Sequence, residues 1–292
     1  MRYARRVVPP PLTITVVLHE RDSRAADVGY VLWPLVDVWR ESGHTVHVAH
    51  GVVDLPPADV IFLHVDLTKV PADYLAATAA HPCVINRGVA DIAKTAISSL
   101  LVAGPEDTTG PVIVKTVKNH GGRPERHLEA RDPAQKLRDS LARRGWLPLG
   151  FRDWLDPYDY PIFASAADVP ARVYRNAALV VERFVPEREG ELYAIRSYSF
   201  LGTASIAERT LSPRPIVKRR DAVAWEEIDT PGEIVALRQR LGFDFGKFDY
   251  VLHQGRSYLL DVNRTPAFGH SPARLRRQGE VLAAGLHGLL RD

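Results

Sequence analysis

The chain has 292 residues, enough for two or three packed units, and its 46% hydrophobic and 25% charged content is that of an ordinary globular protein. Thirty-eight Lys and Arg against 35 Asp and Glu leave a net charge of +3, too balanced for a nucleic-acid binder but suited to a small anionic ligand. Cys83 is the one cysteine, which excludes an intrachain disulfide and a thiolate metal cage. With no signal-like run and nothing near about 18 consecutive apolar residues, a cytoplasmic protein without a membrane partner is expected.

The first hundred residues alternate strand and helix signals. Residues 13–19 are a continuous apolar run, 27–42 carry apolar residues at helical spacing, and Gly43 ends that helix. Further strands are expected at 45–49, 59–64 and 83–86, with helices near 72–80 and 89–102. Apolar strands separated by helices imply a small parallel sheet covered on both faces through right-handed crossovers. His19, Glu20, Arg21, His64 and Asp66 fall at strand C-termini, where open parallel sheets bind ligands, although polar residues are common at any loop end.

Residues 111–117 (PVIVKTV) form the next expected strand. Lys115 shares its face with Ile113 and Val117, so it either snorkels at an edge or reaches a fixed anion. Gly121 and Gly122, just beyond, either let backbone N–H groups approach a phosphate or make an ordinary turn. Asp132, Pro133 and Gln135 read as N-cap, first-turn proline and capping-box partner of a helix closed by Gly145. A strand at 158–165, a turn or short helix at 168–176 and a buried strand at 178–185 complete a small α+β unit.

Past Pro186 an acidic loop leads into a strand on which Ala194, Arg196, Tyr198 and Phe200 share one face. Arg196 there is either stacked or holds a phosphate or carboxylate bidentately. The run Lys218-Arg219-Arg220 reads as a solvated face. A helix at 231–241 follows, and a last amphipathic helix after Pro272 offers Leu275, Val281, Leu282 and Leu286 to the core.

Between those helices lies the stretch 244–269, DFGKFDYVLHQGRSYLLDVNRTPAFG, an apolar-aromatic hairpin with strands at 247–252 and 257–263. Alternation collects Phe248, Tyr250, Leu252, Tyr258, Leu260 and Val262 on one face. Lys247, Asp249, Val251, Ser257, Leu259, Asp261 and Asn263 take the other. Asp249 and Asp261 share a side only if the connection has an odd length, so a three-residue loop His253-Gln254-Gly255 with a left-handed Gly255 is expected. Two carboxylates and an amide oxygen on one rigid patch suit Mg²⁺ and phosphate oxygens, against the alternative of a plain solvated face.

A parallel-sheet unit, a VIVK strand, Gly-Gly, the LVVERFVPE strand, an arginine-bearing strand and then Asp249 before Asp-x-Asn resemble, in that order, the ATP-grasp superfamily. That superfamily includes D-alanine–D-alanine ligases, glutathione synthetases and the ligases that add glutamate to ribosomal protein, and the resemblance spans residues 12–270. It implies an α/β N-terminal parallel-sheet unit (1–108) followed by two α+β units. These are a small lobe with the glycine loop (109–185) and a C-terminal lobe with the metal site (186–292).

The resemblance also implies ATP gripped between the lobes, with two Mg²⁺ ions and Mn²⁺ as the alternative cation. Lys115 matches the lysine on the phosphates and adenine, and Lys94 a second lysine at a shorter spacing than usual. Gly121 and Gly122 match a phosphate-covering loop, expected to be mobile and unanchored over 119–125 until nucleotide binds. Glu182, Arg183 and Phe184 match the hinge against adenine, and Glu187 or Glu191 the ribose acceptor. Arg196 is similar to the arginine at the transferred group, while Asp249, Asp261 and Asn263 match the metal ligands, with Asp261 in place of the commoner Glu. The implied activity is an ADP-forming ligase that turns a carboxylate into an acyl phosphate and passes it to an amine or thiol, with amino acids or small peptides as substrates. A small-molecule kinase on the same fold and a non-catalytic ATP-binding module are the alternatives, and the complete Asp-Asp-Asn set speaks against the module.

Overall fold

The computed structural model describes residues 10–290 apart from 24, 27, 131 and 268–271, so Phe268 and Gly269 at the end of the hairpin stretch lie outside the described residues. Strands β1 (Thr13–Leu18), β2 (Thr45–His50), β3 (Val60–Leu63) and β4 (Val84–Ile85) pair in parallel in the order β2-β1-β3-β4. Continuous apolar strands need cover on both faces. Ile14, Val16 and Leu18 pack toward α1 (Leu32–Glu41), and Val17, Ile61 and Leu63 pack with Tyr74 of α2 (Ala72–Thr78).

The helix expected at 89–102 shrinks to α3 (Lys94–Ile97). Its backbone groups are committed elsewhere: Ile92 N–H donates to Thr68, Lys94 N–H to Val117 and Val102 N–H to Val181. The segment is therefore a crossing to the next sheet, with its polar groups satisfied by that sheet instead of by a helix.

The second sheet is antiparallel, with β5 (Val112–Thr116) between β6 (Ile162–Phe163) and β7 (Leu179–Arg183). Val112, Val114 and Val181 share its core with Leu155 and Val173. Helices α4 (Arg123–Leu128), α5 (Pro133–Arg143) and α6 (Ala171–Tyr174) belong to this lobe. The Asp132–Gln135 capping box of α5 forms as expected. β6 is far shorter than the expected 158–165, because a turn in which Asp159 N–H donates to Asp156 takes up the preceding residues.

The third sheet runs β11-β10-β9-β12-β13, with β8 also paired to β9. Its strands are β8 (Glu187–Glu189), β9 (Leu192–Leu201), β10 (Ala204–Ser212), β11 (Ala224–Glu227), β12 (Phe245–His253) and β13 (Arg256–Asn263), with α7 (Gly232–Arg240) between β11 and β12. Tyr198, Phe200, Phe248, Tyr250 and Val262 face Ile234 of α7. The last helix, α8 (Pro272–Ala283), lies on α1, and Leu282 and Leu286 enter the core of the parallel sheet. A Cβ on Gly279 would stand 2.4 Å from Pro34, so this approach needs glycine. Val281, expected in that core, is 39% exposed because the inward face of α8 is set by Gln278 and Leu282.

The hairpin corrects the expected loop. Gln254 and Gly255 form a two-residue turn, with φ of +50° and +76°, the left-handed pair that matches strand twist. His253 pairs with Arg256 and Tyr250 with Leu259, which by itself would put Asp249 out of step with Asp261. A β-bulge then inserts Leu260 as an extra residue on the edge strand, and beyond it Asp249 faces Asp261 and Lys247 faces Asn263. The face assignment changes accordingly: Leu259 joins the aromatic core, and Leu260 turns to the opposite side. Among the described residues, no helix is long and apolar enough to cross a membrane.

Candidate functional site

The small antiparallel sheet and the large sheet enclose a cleft with two chambers. The inner one is lined by Lys94, Lys115, Arg183, Phe184, Leu260 and Asp261. The outer one, of about 610 Å³, is lined by residues that include His120, Ser197, Lys218, Lys247, Asp249 and Asn263. Asp249, Asp261 and Lys218 border both.

Three lysines of different origin meet at the inner chamber. Lys115, buried on β5, lies 2.7 Å from Glu182 Oε2 on the neighbouring strand β7 and donates to the carbonyl of Leu260 at 3.2 Å. That carbonyl belongs to the bulge residue, which stands outside the strand pairing. Glu182 Oε1 has no hydrogen-bond partner among the described residues and is sealed from solvent. Lys94, 1% exposed, enters from α3 and reaches Asp261 Oδ1 at 3.1 Å. Burial alone would push the Asp261 carboxyl up, but Lys94, Lys115 and Lys218 outweigh it and hold the group below its ordinary value, so it stays ionised.

On the adjoining patch, Asp249 accepts from Ser197 Oγ at 2.6 Å and lies 2.8 Å from Lys247 Nζ. Asn263 Oδ1 accepts from Thr265 N–H at 2.9 Å, and Thr265 Oγ1 donates to Asp66 at 2.6 Å. The next residue, Arg264, is 1% exposed and donates to the carbonyls of Val65, Leu67 and Val89. The turn after β13 is thus bolted to the parallel-sheet unit, and the oxygen-bearing patch is rigid on both sides. Among the described residues, no group of three or more His, Cys, Asp or Glu could cage a metal. Two carboxylates and an amide, without sulfur or imidazole, fit a hard cation that draws its other ligands from water or phosphate, as Mg²⁺ does.

Several expected residues stand elsewhere. Arg196 lies on the opposite face of β9 from Ile195, Ser197 and Ser199, which line the cleft. It donates three hydrogen bonds to Glu187 at 2.9–3.1 Å, and Glu187 also accepts from Arg209 Nε at 3.0 Å and Leu252 N–H at 2.8 Å. The pairing of β8 with β9 brings this carboxylate under the arginines, so both are parts of a network behind the sheet. Glu191 is fully exposed, 3.8 Å from Arg188, and neither ribose candidate is among the cleft-lining residues.

Gly121 and Gly122 are not an unanchored loop. Both are buried in a tight turn where a Cβ on Gly121 would meet the Leu155 carbonyl at 2.3 Å. Asn119 N–H donates to Thr68 Oγ1 at 2.8 Å, and Glu125, also buried, accepts from Thr68 N–H at 2.8 Å. His120 and Arg123, not the glycines, reach the outer chamber. Of the five strand-end candidates, His64 is fully buried against Tyr30, Phe62 and Phe245, and Asp66 is held by Tyr30 and Thr265. His19 is buried and stacks on Tyr74, while Glu20 and Arg21 are exposed.

Lys218 was missed by the charge-run reading. It is half-buried, it borders both chambers, and its Nζ makes no ion pair or hydrogen bond among the described residues. Burial pushes its pKa down, opposed by the fields of Asp249 and Asp261. The one local signal was the preceding Pro213, Pro215, Ile216 and Val217, a stretch too stiff and apolar for a solvated helix face.

No protein-family model and no curated protein matches the sequence. Solved structures do. The ATP-grasp ligase PsnB complexed with minimal precursor is 14% identical over 93% of this chain and 99% of that one, with a TM-score of 0.53. D-alanine–D-alanine ligase from Bacillus anthracis is 11% identical over 97% and 98%, at 0.52. The macrocyclase MdnC from Microcystis aeruginosa, bound with precursor peptide MdnA, is 11% identical over 93% and 99%, at 0.50. At these identities the likeness is one of fold: the chain has the ATP-grasp fold.

Proposed function

We propose that the protein is an ATP-dependent, ADP-forming ligase that activates a carboxylate as an acyl phosphate and transfers it to an amine or thiol, with an amino acid or small peptide as substrate. The observation that carries this reading is the convergence of Lys94, Lys115 and Lys218 on the paired carboxylates Asp249 and Asp261. A triphosphate brings several negative charges, and these cations and carboxylates are the groups needed to receive it together with Mg²⁺.

In this reading Arg183 and Phe184 flank the nucleotide base, and the 182–184 segment meets it chiefly through its backbone. Asp249, Asp261 and Asn263 hold Mg²⁺, which when bound neutralises charge on the phosphates. Lys218 lies where charge builds on the transferred group. The substrate carboxylate oxygen forms a bond to the γ-phosphorus as the bond to the ADP oxygen breaks. The acceptor nitrogen or sulfur then bonds to the acyl carbon, inorganic phosphate leaves, and the acceptor loses its proton. Closure of the two lobes keeps water from the anhydride. The three sheets support a division at 1–108, 109–185 and 186–292.

A wide outer chamber beside the inner one supports a ligase over a kinase, since room for an acid and an acceptor is needed next to the phosphates. The test is ADP release from Mg·ATP with carboxylic acids and hydroxylamine as a general acceptor, read by mass spectrometry. A hydroxamate supports the ligase. A stable phosphorylated product would make it a kinase, and nucleotide binding without turnover would leave a binding module.

A further inference from the structure

Three cations gather on one aromatic ring at the mouth of the outer chamber. The ring of Tyr158 has the Arg220 guanidinium 4.2 Å from its centroid, that of Arg123 at 5.2 Å and the Lys218 ammonium at 5.7 Å. Each is attracted to the ring, but like charges this close repel one another. Arg123 meets Asp156 at 3.1 Å and Arg220 meets Asp221 at 3.5 Å, while Lys218 forms no ion pair among the described residues and feels Asp249 and Asp261 through their fields. The side chains of Arg123 and Arg220 are 40% and 55% exposed, so their donors are accessible.

The three come from opposite walls of the cleft. Arg123 and Tyr158 belong to the small lobe, whereas Lys218 and Arg220 sit in the strap between β10 and β11 of the large sheet. The chamber wall on β9 and β10 carries Ser199, Ile206, Glu208 and Thr210, and the Glu208 carboxylate is already paired with Arg274 and Arg219.

We propose that Arg123 and Arg220, gathered on Tyr158 beside Lys218, form an anion subsite for a second carboxylate of the acid substrate, which is therefore a dicarboxylate. The proposal rests on the ligase reading above. Guanidinium groups match a carboxylate with paired N–H donors, and an anion between them removes their mutual repulsion. One carboxylate of the substrate faces the phosphates near Asp249 and Asp261 while the other is held at the ring. Two sources share this chemistry, a free dicarboxylic amino acid and adjacent acidic side chains of a peptide.

The experiment uses the full chain with Mg·ATP and hydroxylamine. Four acids are compared: L-glutamate against L-glutamine, and N-acetyl-Glu-Glu-amide against N-acetyl-Glu-Gln-amide. In at least one pair the dicarboxylate is expected to show a KM about tenfold lower than its amide counterpart, the equivalent of about 1.4 kcal/mol. The pair that shows it identifies the source. Arg220→Gln should raise the KM of the dicarboxylate to that of its amide, and Arg220→Lys should restore part of the difference. Equal use of acid and amide overturns the subsite, as does a preference that survives both Arg220→Gln and Arg123→Gln. Lack of turnover of either dicarboxylate by a protein that binds Mg·ATP in an equilibrium titration also overturns it and leaves the nucleotide site standing. Failure to bind Mg·ATP would instead overturn the ligase reading itself.

Discussion

Asp249 and Asp261 are direct partners across β12 and β13 even though the turn joining the strands has two residues, because Leu260 is bulged out between them and the turn. The bulge does two things at once. It restores both carboxylates to the cleft side, and it frees the Leu260 carbonyl to accept from Lys115. A lysine of the small lobe and a carboxylate pair of the large sheet are thereby fixed relative to each other by one irregular residue.

Asp261→Asn should cut turnover at least about a thousandfold, roughly 4 kcal/mol of barrier. The variant should also lose stability on the order of 2 kcal/mol, because Lys94 is buried and loses its carboxylate; the exposure of Asp261 itself keeps the loss below that of a fully buried pair. Adding Lys94→Met should recover the stability and leave the activity absent. Urea melts of the two single variants and the double variant check this, and simple additivity of the two losses would show that the pair is not coupled.

Lys218→Met is expected to separate stability from activity. The ammonium is partly desolvated and has no ion pair among the described residues, so replacing it with an apolar side chain should leave the melting temperature unchanged or higher. Turnover should fall by about a hundredfold or more if the charge stabilises the transferred group. A lower melting temperature with full turnover would assign Lys218 to structure alone.

Gly121 and Gly122 should respond differently to alanine. Gly121→Ala drives a Cβ into the Leu155 carbonyl and Pro157, and should cost more than about 2 kcal/mol. Gly122→Ala meets only the Lys118 side chain at 3.7 Å and should cost about 1 kcal/mol, the strain of its left-handed conformation. Hydrogen exchange at Asn119, whose N–H is bonded to Thr68, should be slow before any nucleotide is added.

His64 makes the fold acid-sensitive. It is fully buried, neither ring nitrogen has a hydrogen-bond partner among the described residues, and burial lowers its pKa to about 3. The unfolded chain binds a proton at this residue near pH 6.5 while the folded chain does not, so its contribution is complete above 6.5 and is lost as pH falls toward 3, at about 1.4 kcal/mol per pH unit. Asp66, raised to about 6 chiefly by burial, acts oppositely: it favours the folded state at low pH, and that stability is lost as pH rises through 6. Comparing urea midpoints of the wild type and His64→Phe at pH 5 and 7.5 isolates the histidine. The variant should gain relative stability at pH 5, and an equal difference at both values would show that His64 does not titrate in this window.

Local patterns in the sequence were enough for the parallel sheet, the capped helix at Asp132, the VIVK strand and the aromatic face of Phe248, Tyr250 and Val262. Each follows from a period of two, a period of 3.6 or a capping residue, and each is decided within a few residues. Alternation also named Lys115, Asp249, Asp261 and Asn263, and the family resemblance added Lys94; all five line the cleft in the folded chain. Arg196 and the glutamates were not decided there, because alternation assigns a side chain to a face without saying which face is closed by another strand. Glu187 turned under Arg196 when β8 paired with β9. The bulge at Leu260, the burial of Lys218, the anchoring of Gly121 by Leu155 and the Lys94–Asp261 contact across 167 residues were likewise settled only in three dimensions. In each of these the deciding partner is remote in the chain, and a side chain's charge, exposure and freedom depend on what the fold brings against it.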